Sequence, residues 1–199
     1  MSHGTWAHRA IMPAVRVLAK TPATPNQVTT ARLLTGLAAA AAFAVGTEGW
    51  TSAGGVLCLI SMLLDRADGQ LARLTGRTSA WGHDYDLIAD NIATTALFIG
   101  IGLGLRDGAL GLWAPVLGVL AGASITTIFW VVERIEALTP PGRDAIPGAA
   151  GFDPDDLLFV VAPLAWLGWL SPFLIVAAIG APLFLIPTAI YWRKLRRRD

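Results

Sequence analysis

The sequence predicts an all-α integral membrane protein, and three observations support that prediction. The chain is 54% hydrophobic and only 15% charged, with a mean hydropathy of +0.58, whereas a soluble domain usually carries about 25% charged residues. Long apolar runs recur along its 199 residues, each close to the roughly 20 residues that a helix needs to cross a bilayer. These runs do not alternate with a period of two, which excludes a closed β-barrel.

We expect a single domain over residues 1–199, in which residues 24–199 form a bundle of six transmembrane helices. The spans are placed near residues 26–46, 50–74, 82–105, 110–134, 154–170 and 173–192. Thr24 precedes Pro25, so the threonine is expected to cap a helix that has proline at its first position. The acidic residues around Pro154 predict a similar start for the fifth span, because negative charge is favoured at the positive end of the helix dipole.

The juxtamembrane segment 1–23 is predicted to contain a short amphipathic helix over residues 6–20. Ile11, Val15 and Leu18 share one helical face. The basic side chains of the segment share another face, and they are Arg9, Arg16 and Lys20. This pattern is typical of a helix that lies on an anionic membrane surface.

The distribution of basic residues predicts that both termini are cytoplasmic. In that orientation all of the 15 Lys and Arg residues except Arg106 lie on the cytoplasmic side or near that boundary, as the positive-inside rule requires. The basic run that begins at Arg193 is interpreted as a topological anchor that contacts lipid headgroups, and no nucleic-acid partner is expected. We therefore predict a protein of the cytoplasmic (inner) membrane.

Four carboxylates lie at regular spacing near the cytoplasmic ends of the second and third predicted spans. Asp65 and Asp68 are three residues apart, and Asp86 and Asp90 are four apart, so each pair shares one helical face. Two antiparallel helices that face each other would bring all four carboxylates together, and such a cluster repels itself unless a cation neutralises it. Hard oxygen ligands favour Mg²⁺ or Mn²⁺, and we expect two ions.

Small and basic residues accompany these carboxylates. Gly69 lets backbone or ligand approach closely, and Ala72 is a second small residue on much the same face. Arg73 can pair with a phosphate or with a carboxylate. Gly82 opens the third span and leaves room for a nucleotide or for close helix packing. The pattern favours a site on the cytoplasmic face for a phosphorylated ligand.

The complete stretch is D-x2-D-G-x2-A-R-x8-G-x3-D-x3-D, and it resembles the signature of the CDP-alcohol phosphotransferase family at every fixed position. The resemblance implies an enzyme, dependent on Mg²⁺ or Mn²⁺, that moves a phosphoalcohol group from a CDP-linked donor to an acceptor hydroxyl and releases CMP. It implies that Asp65, Asp68 and Asp86 bind metal, and that Asp90 is the general base and also a metal contact. The positions that it assigns to the CDP site are Asp65, Asp68, Gly69, Ala72, Arg73 and Gly82. A homodimer in the membrane is implied as well.

The start of the first span also resembles a segment common in this family. Asn26 and Thr29 are therefore candidates for nucleotide contact, with helix capping as the alternative. The donor is expected to be CDP-diacylglycerol, because small bacterial-looking members of the family commonly use it, and the function is then phospholipid biosynthesis. A soluble CDP-alcohol donor with a lipid acceptor is the alternative.

The acceptor alcohol is left open, because two sets of charged residues point in opposite directions. A phosphorylated acceptor would need spare cations, for which the candidates are Arg134, Arg143 and Arg193. An amino-alcohol or polyol could instead meet carboxylates, for which the candidates are Asp153, Asp155 and Asp156.

Two other classes of membrane protein also place carboxylates near a membrane. A membrane prenyltransferase uses Asp-rich motifs, but these usually lie in two distant segments of a larger bundle. A cation transporter would have carboxylates near mid-bilayer and broken helices in a repeat. Neither pattern is found in this sequence, and metal-dependent release of CMP would separate the enzyme from both.

Overall fold

The computed structural model describes residues 6–138 and 158–196, and the regular elements in these ranges are helical. The helices are α1 (Trp6–Leu18), α2 (Pro25–Val45), α3 (Glu48–Thr75), α4 (Ala80–Gly104), α5 (Trp113–Leu138), α6 (Val161–Trp166) and α7 (Leu170–Arg196). The prediction of an all-helical protein is confirmed for the described part of the chain.

Four of these helices, α2, α4, α5 and α7, are long and apolar enough to cross a membrane. They correspond to the first, third, fourth and sixth predicted spans. The second predicted span is the helix α3, which does not reach the same apolar character within the described residues. The described part of the fifth predicted span contains only a short 3₁₀ turn and α6, and residues 154–157 lie outside the described residues. The count of six spans therefore stays a prediction.

The last inter-helix turn lies earlier in the chain than predicted. Gly168 has a φ of 72°, a left-handed conformation that glycine adopts without steric cost. The chain therefore turns directly after α6, and α7 begins at Leu170 rather than near residue 173.

The predicted start of the first span is confirmed in detail. The Thr24 side chain accepts a hydrogen bond from the Gln27 backbone N–H, with 3.3 Å between N and Oγ1. The Gln27 side chain in turn accepts one from the Thr24 backbone N–H, at 2.9 Å. This reciprocal pair is a capping box, and Pro25 is the first helical residue after it. The similar start that we predicted at Asp153 and Pro154 lies outside the described residues.

Helix α2 is central to the packing, because it lies along both α3 and α4, while α5 lies along α4 and α7. Gly100 and Gly104 of α4 face α2 so closely that an added Cβ would collide with the carbonyl oxygens of Ala40 and Phe43. Glycine at these two positions lets the two backbones approach, as is common for membrane helices. This contact fixes the position of α2 relative to α4.

The N-terminal helix α1 packs against α3. Ile11 and Val15 are buried with Val28 of α2 and Leu71 of α3, while Arg16 is exposed. Within the structure, side chains of α2 and α3 therefore cover Ile11 and Val15. The position of α1 on a membrane surface and the orientation of the termini stay predictions.

Candidate metal centre

The four signature carboxylates come from two helices that both pack on α2. Helix α3 carries Asp65 and Asp68, and α4 carries Asp86 and Asp90. We expected α3 and α4 to face each other directly. In the structure these two helices have little direct contact, and each packs along α2 instead. The N-terminal half of α2 is therefore part of the site.

Three of the carboxylates form a compact triad. Asp65, Asp68 and Asp86 each have one carboxylate oxygen within 4.8 Å of those of the other two. Asp68 is buried at 3% exposure, while Asp65 and Asp86 are half-buried. Like charges at this distance repel each other, and a hard divalent cation prefers such oxygen ligands. The triad therefore fits a divalent metal ion.

Arg32 of α2 lies among these carboxylates and is almost completely buried, at 1% exposure. Its Nη1 contacts Asp65 Oδ1 and lies 2.9 Å from Asp86 Oδ1. Its Nη2 lies 3.2 Å from Asp90 Oδ1 and donates to the Asp86 backbone carbonyl at 3.3 Å. Asp90, which we predicted as base and metal contact, is outside the triad and is joined to it through this guanidinium.

The sequence prediction placed Arg32 only among the basic residues that set the orientation, and so missed its part in the site. A signal was present, since a charged side chain inside an apolar span is by default a functional candidate. Its partners could not be named, because they are 33 and more positions away in the chain.

Thr29, three residues before Arg32 on the same helical face, contacts the third carboxylate of the triad. Its Oγ1 donates to Asp68 Oδ2 at 2.8 Å. The backbone N–H of Gly69 donates to the other oxygen of the same carboxylate, at 2.6 Å. Both oxygens of the buried Asp68 therefore accept a hydrogen bond, and the contact of Thr29 with nucleotide stays a prediction.

Gly69 and Arg73 lie together on the surface of α3 next to Asp68. An added Cβ at Gly69 would meet only the Arg73 guanidinium, at 3.5 Å, among the described residues. The Arg73 side chain is exposed and Ala72 is half-buried. Within the described ranges, close helix packing therefore does not account for this glycine, and its place in a CDP site stays a prediction.

Gly82 of α4 lies against Asn26 of α2. An added Cβ at Gly82 would lie 3.0 Å from Ser79 Oγ and 3.1 Å from Asn26 Oδ1. The Ser79 hydroxyl caps α4 by accepting from the Gly82 backbone N–H, at 3.0 Å. The structure thus brings Asn26 next to Gly82 of the signature, although the two segments are far apart in the chain, and the contact of Asn26 with nucleotide stays a prediction.

A cavity of about 50 Å³ lies beside the carboxylates, with Arg32, Asp65 and Asp90 in its wall. Most of the remaining wall is apolar, and Ser61 and Thr94 add hydroxyl groups. The cavity gives Asp90 a neighbouring space within the bundle.

Helices α2, α3 and α4 of this helical membrane protein thus form a partly buried cluster of four carboxylates around one buried arginine. The profile of the CDP-alcohol phosphatidyltransferase family matches residues 22–192. The chain belongs to this family.

Two curated relatives illustrate its similarities. The chain is 33% identical over 89 residues to the archaetidylinositol phosphate synthase of Pyrococcus horikoshii, which is 45% of this chain and 46% of that protein. It is 37% identical over 70 residues to the CDP-diacylglycerol–serine O-phosphatidyltransferase of Helicobacter pylori, which is 34% of this chain and 30% of that protein. The chain thus spans less than half the length of each relative, and the two names differ in the product.

Proposed function

We propose that this protein transfers a phosphatidyl group from a CDP-linked donor to an acceptor hydroxyl and releases CMP, in phospholipid biosynthesis. The observation that carries this proposal is the triad of Asp65, Asp68 and Asp86, with Asp90 beside it. Membership of the CDP-alcohol phosphatidyltransferase family supports it.

Asp65, Asp68 and Asp86 are the residues that would hold the metal, which we propose to be Mg²⁺ or Mn²⁺ and expect to be two ions. A divalent ion supplies charge neutralisation at the pyrophosphate of the donor when bound. Carboxylate oxygens on three positions of two rigid helices suit this role, because each ligand is oriented by its helix before the ion binds.

Asp90 is proposed to accept the proton of the acceptor hydroxyl. The oxygen then forms a bond to the β-phosphorus of the donor, and the bond from that phosphorus to the bridging oxygen breaks. CMP leaves with the electron pair. The half-buried position of Asp90, beside a cavity and in contact with Arg32, supports this role.

The nucleotide is proposed to bind over the cytoplasmic ends of α2, α3 and α4. Gly69 and Ala72 offer a surface with small side chains, and Arg73 offers an exposed guanidinium that can pair with phosphate. Asn26 and Gly82, which lie against each other, are proposed to contribute to the same site, as is Thr29 through its contact with Asp68.

CDP-diacylglycerol is the proposed donor, and the name of the Helicobacter pylori relative supports it. A soluble CDP-alcohol with a lipid acceptor is the alternative donor arrangement. The names of the two relatives do not agree on an acceptor. Of the charged residues that we considered for the acceptor, Arg143 and the three aspartates at 153–156 lie outside the described residues.

The proposal includes a location in the cytoplasmic membrane, with six spans, cytoplasmic termini and the site on the cytoplasmic face. It also includes a homodimer. The four apolar helices support an integral membrane protein.

The test is release of CMP by the purified protein with Mg²⁺ and CDP-diacylglycerol, measured with glycerol 3-phosphate, inositol phosphate, serine, inositol and choline. Release that depends on one acceptor and stops with a chelator is the expected result, and it also names the acceptor. If no acceptor releases CMP, soluble CDP-alcohols with lipid acceptors are tested next. Failure of both arms would contradict the proposed reaction.

A further inference from the structure

The carboxylate cluster already contains one positive charge of its own, that of Arg32. Four carboxylates from α3 and α4 surround a site in which a single buried guanidinium contacts Asp65, Asp86 and Asp90. Arginine stays protonated in proteins, so this charge is permanent. A metal ion that enters the triad must therefore share two of its three carboxylates with a fixed cation.

We propose that Arg32 is a positioning residue that weakens the binding of the divalent ion to the triad and keeps Asp90 in place beside it. This inference rests on the proposed function, because it concerns the same metal site. It adds a residue of α2 that influences metal binding and that lies outside the signature over residues 65–90.

The geometry explains why an arginine suits this position. Its two terminal nitrogens contact different carboxylates, since Nη1 contacts Asp65 and Asp86 whereas Nη2 contacts Asp90. A planar guanidinium can do this in one fixed orientation, but the ammonium group of lysine is a single point charge. Loss of the planar group should therefore release Asp90 even when the positive charge is kept.

The backbone around Arg32 is also fixed. Ser61 of α3 donates from its hydroxyl to the Arg32 carbonyl oxygen at 2.9 Å. One turn later, an added Cβ at Gly36 would lie 3.0 Å from Ser61 Oγ and 3.1 Å from Ala93 Cβ of α4. Three helices are thus closely packed here, and the backbone that carries the guanidinium is in contact with α3.

Repulsion between the guanidinium and a bound ion is strong at this range. Like charges close together in a protein interior repel each other more strongly than in water, and a divalent ion carries twice the charge of a monovalent one. Removal of the charge should therefore tighten metal binding. A residue that serves only to pack the helices would have the opposite effect, because its removal loosens the triad.

The experiment measures binding of Mn²⁺ alone, without nucleotide, to purified protein in lipid nanodiscs. The electron paramagnetic resonance signal of free Mn²⁺ gives the affinity. Arg32→Gln is expected to bind Mn²⁺ about tenfold more tightly than the wild type, or tighter still. Its rate of CMP release is expected to fall at least about tenfold, because Asp90 has lost its charged partner.

Arg106→Gln is the matched control. Arg106 follows α4 at the opposite end of that helix from the carboxylates, and its guanidinium donates to the carbonyl oxygens of Ala44 and Leu103. Mn²⁺ affinity and CMP release should both stay at the wild-type values in this variant.

Arg32→Lys separates charge from geometry. This variant should bind Mn²⁺ within about threefold of the wild type, while kcat falls and KM for the donor is unchanged. This variant also tests whether Arg32 positions Asp90 if Arg32→Gln cannot be recovered as folded protein. Weaker Mn²⁺ binding that parallels a lower melting temperature in either variant, or full turnover in Arg32→Lys, would overturn the inference.

Failure of this inference can be told apart from failure of the proposed function. If the wild type binds no Mn²⁺ and releases no CMP, the proposed function and the role of Arg32 are both wrong. If the wild type binds Mn²⁺ and releases CMP, but Arg32→Gln binds Mn²⁺ no more tightly than the wild type, only the role of Arg32 is wrong.

Discussion

The hydroxyl of Thr29 lies 2.8 Å from Asp68 Oδ2, and this hydrogen bond joins α2 to the buried carboxylate of α3. A buried carboxylate is costly unless hydrogen bonds satisfy it, and Thr29 supplies one of the two that Asp68 accepts. The first apolar helix therefore contributes directly to a site whose signature lies on α3 and α4.

Thr29→Val keeps the shape of this side chain and removes its hydroxyl. A hydrogen bond to a charged group contributes about 1.5–3 kcal/mol, so metal-dependent CMP release at limiting Mg²⁺ is expected to fall about tenfold or more. Thr127→Val is the control, because among the described residues that hydroxyl bonds within its own helix, to the Ala123 carbonyl. Equal activity of the two variants would show that the contact with Asp68 does not matter for the reaction.

Asp90→Asn should abolish most of the turnover while the protein still binds the CDP-linked donor. Proton transfer by a positioned base contributes about 10²–10⁴-fold, so a loss of at least about 100-fold is expected in a rate measured at saturating donor. Donor binding is followed separately, by equilibrium dialysis with the labelled donor. Asp84→Asn, an exposed aspartate in the same helix, should be nearly as active as the wild type. An Asp90→Asn enzyme with unchanged turnover would contradict the assignment of the base.

Gly69→Ala tests whether this glycine serves the ligand rather than the helix. Of the described residues, an added Cβ meets only Arg73, at an ordinary contact distance, and alanine is about 1 kcal/mol better than glycine in a helix. The variant should therefore be at least as stable as the wild type, yet show a raised KM for the CDP-linked donor.

Gly49→Ala, in the first turn of the same helix, offers a matched control, since an added Cβ there meets no atom of the described residues within 4 Å. Its KM should not change. A wild-type KM in Gly69→Ala would mean that the donor does not approach α3 at this point.

Gly100→Ala should destabilise the protein, because the methyl group would collide with the backbone carbonyl of Ala40 on α2. Overpacking of this kind typically costs about 1–3 kcal/mol, and here the backbone itself must move. Thermal unfolding of the purified protein is the measurement, with Gly180→Ala of α7 as the control, where an added Cβ meets no atom of the described residues within 4 Å. A melting temperature equal to that of the control would contradict the close contact of α2 and α4.

Several features of this protein could be predicted because they depend on the pattern of neighbouring residues in the sequence. The hydropathy and length of the apolar runs indicate helices that can cross a membrane. The Thr24–Pro25 pair sets the start of α2 through hydrogen bonds within four residues. The helical period places Asp65 and Asp68 on one face and pairs Asp86 with Asp90 in the same way. The resemblance to a known signature then indicated the family, which the match over residues 22–192 confirms.

Packing of the helices decided how these parts come together. Arg32 and Thr29 reach the carboxylates because α2 lies along both α3 and α4, and Gly100 and Gly104 allow that approach. In the same way, α3 covers the apolar face of α1, which by pattern alone suits a lipid surface equally well. Local pattern in the chain sets which faces are apolar, where α2 starts and which acids share a side. Which helix covers each face depends on packing instead, because contacts between residues 33 or 54 positions apart depend on the shapes of whole helix surfaces.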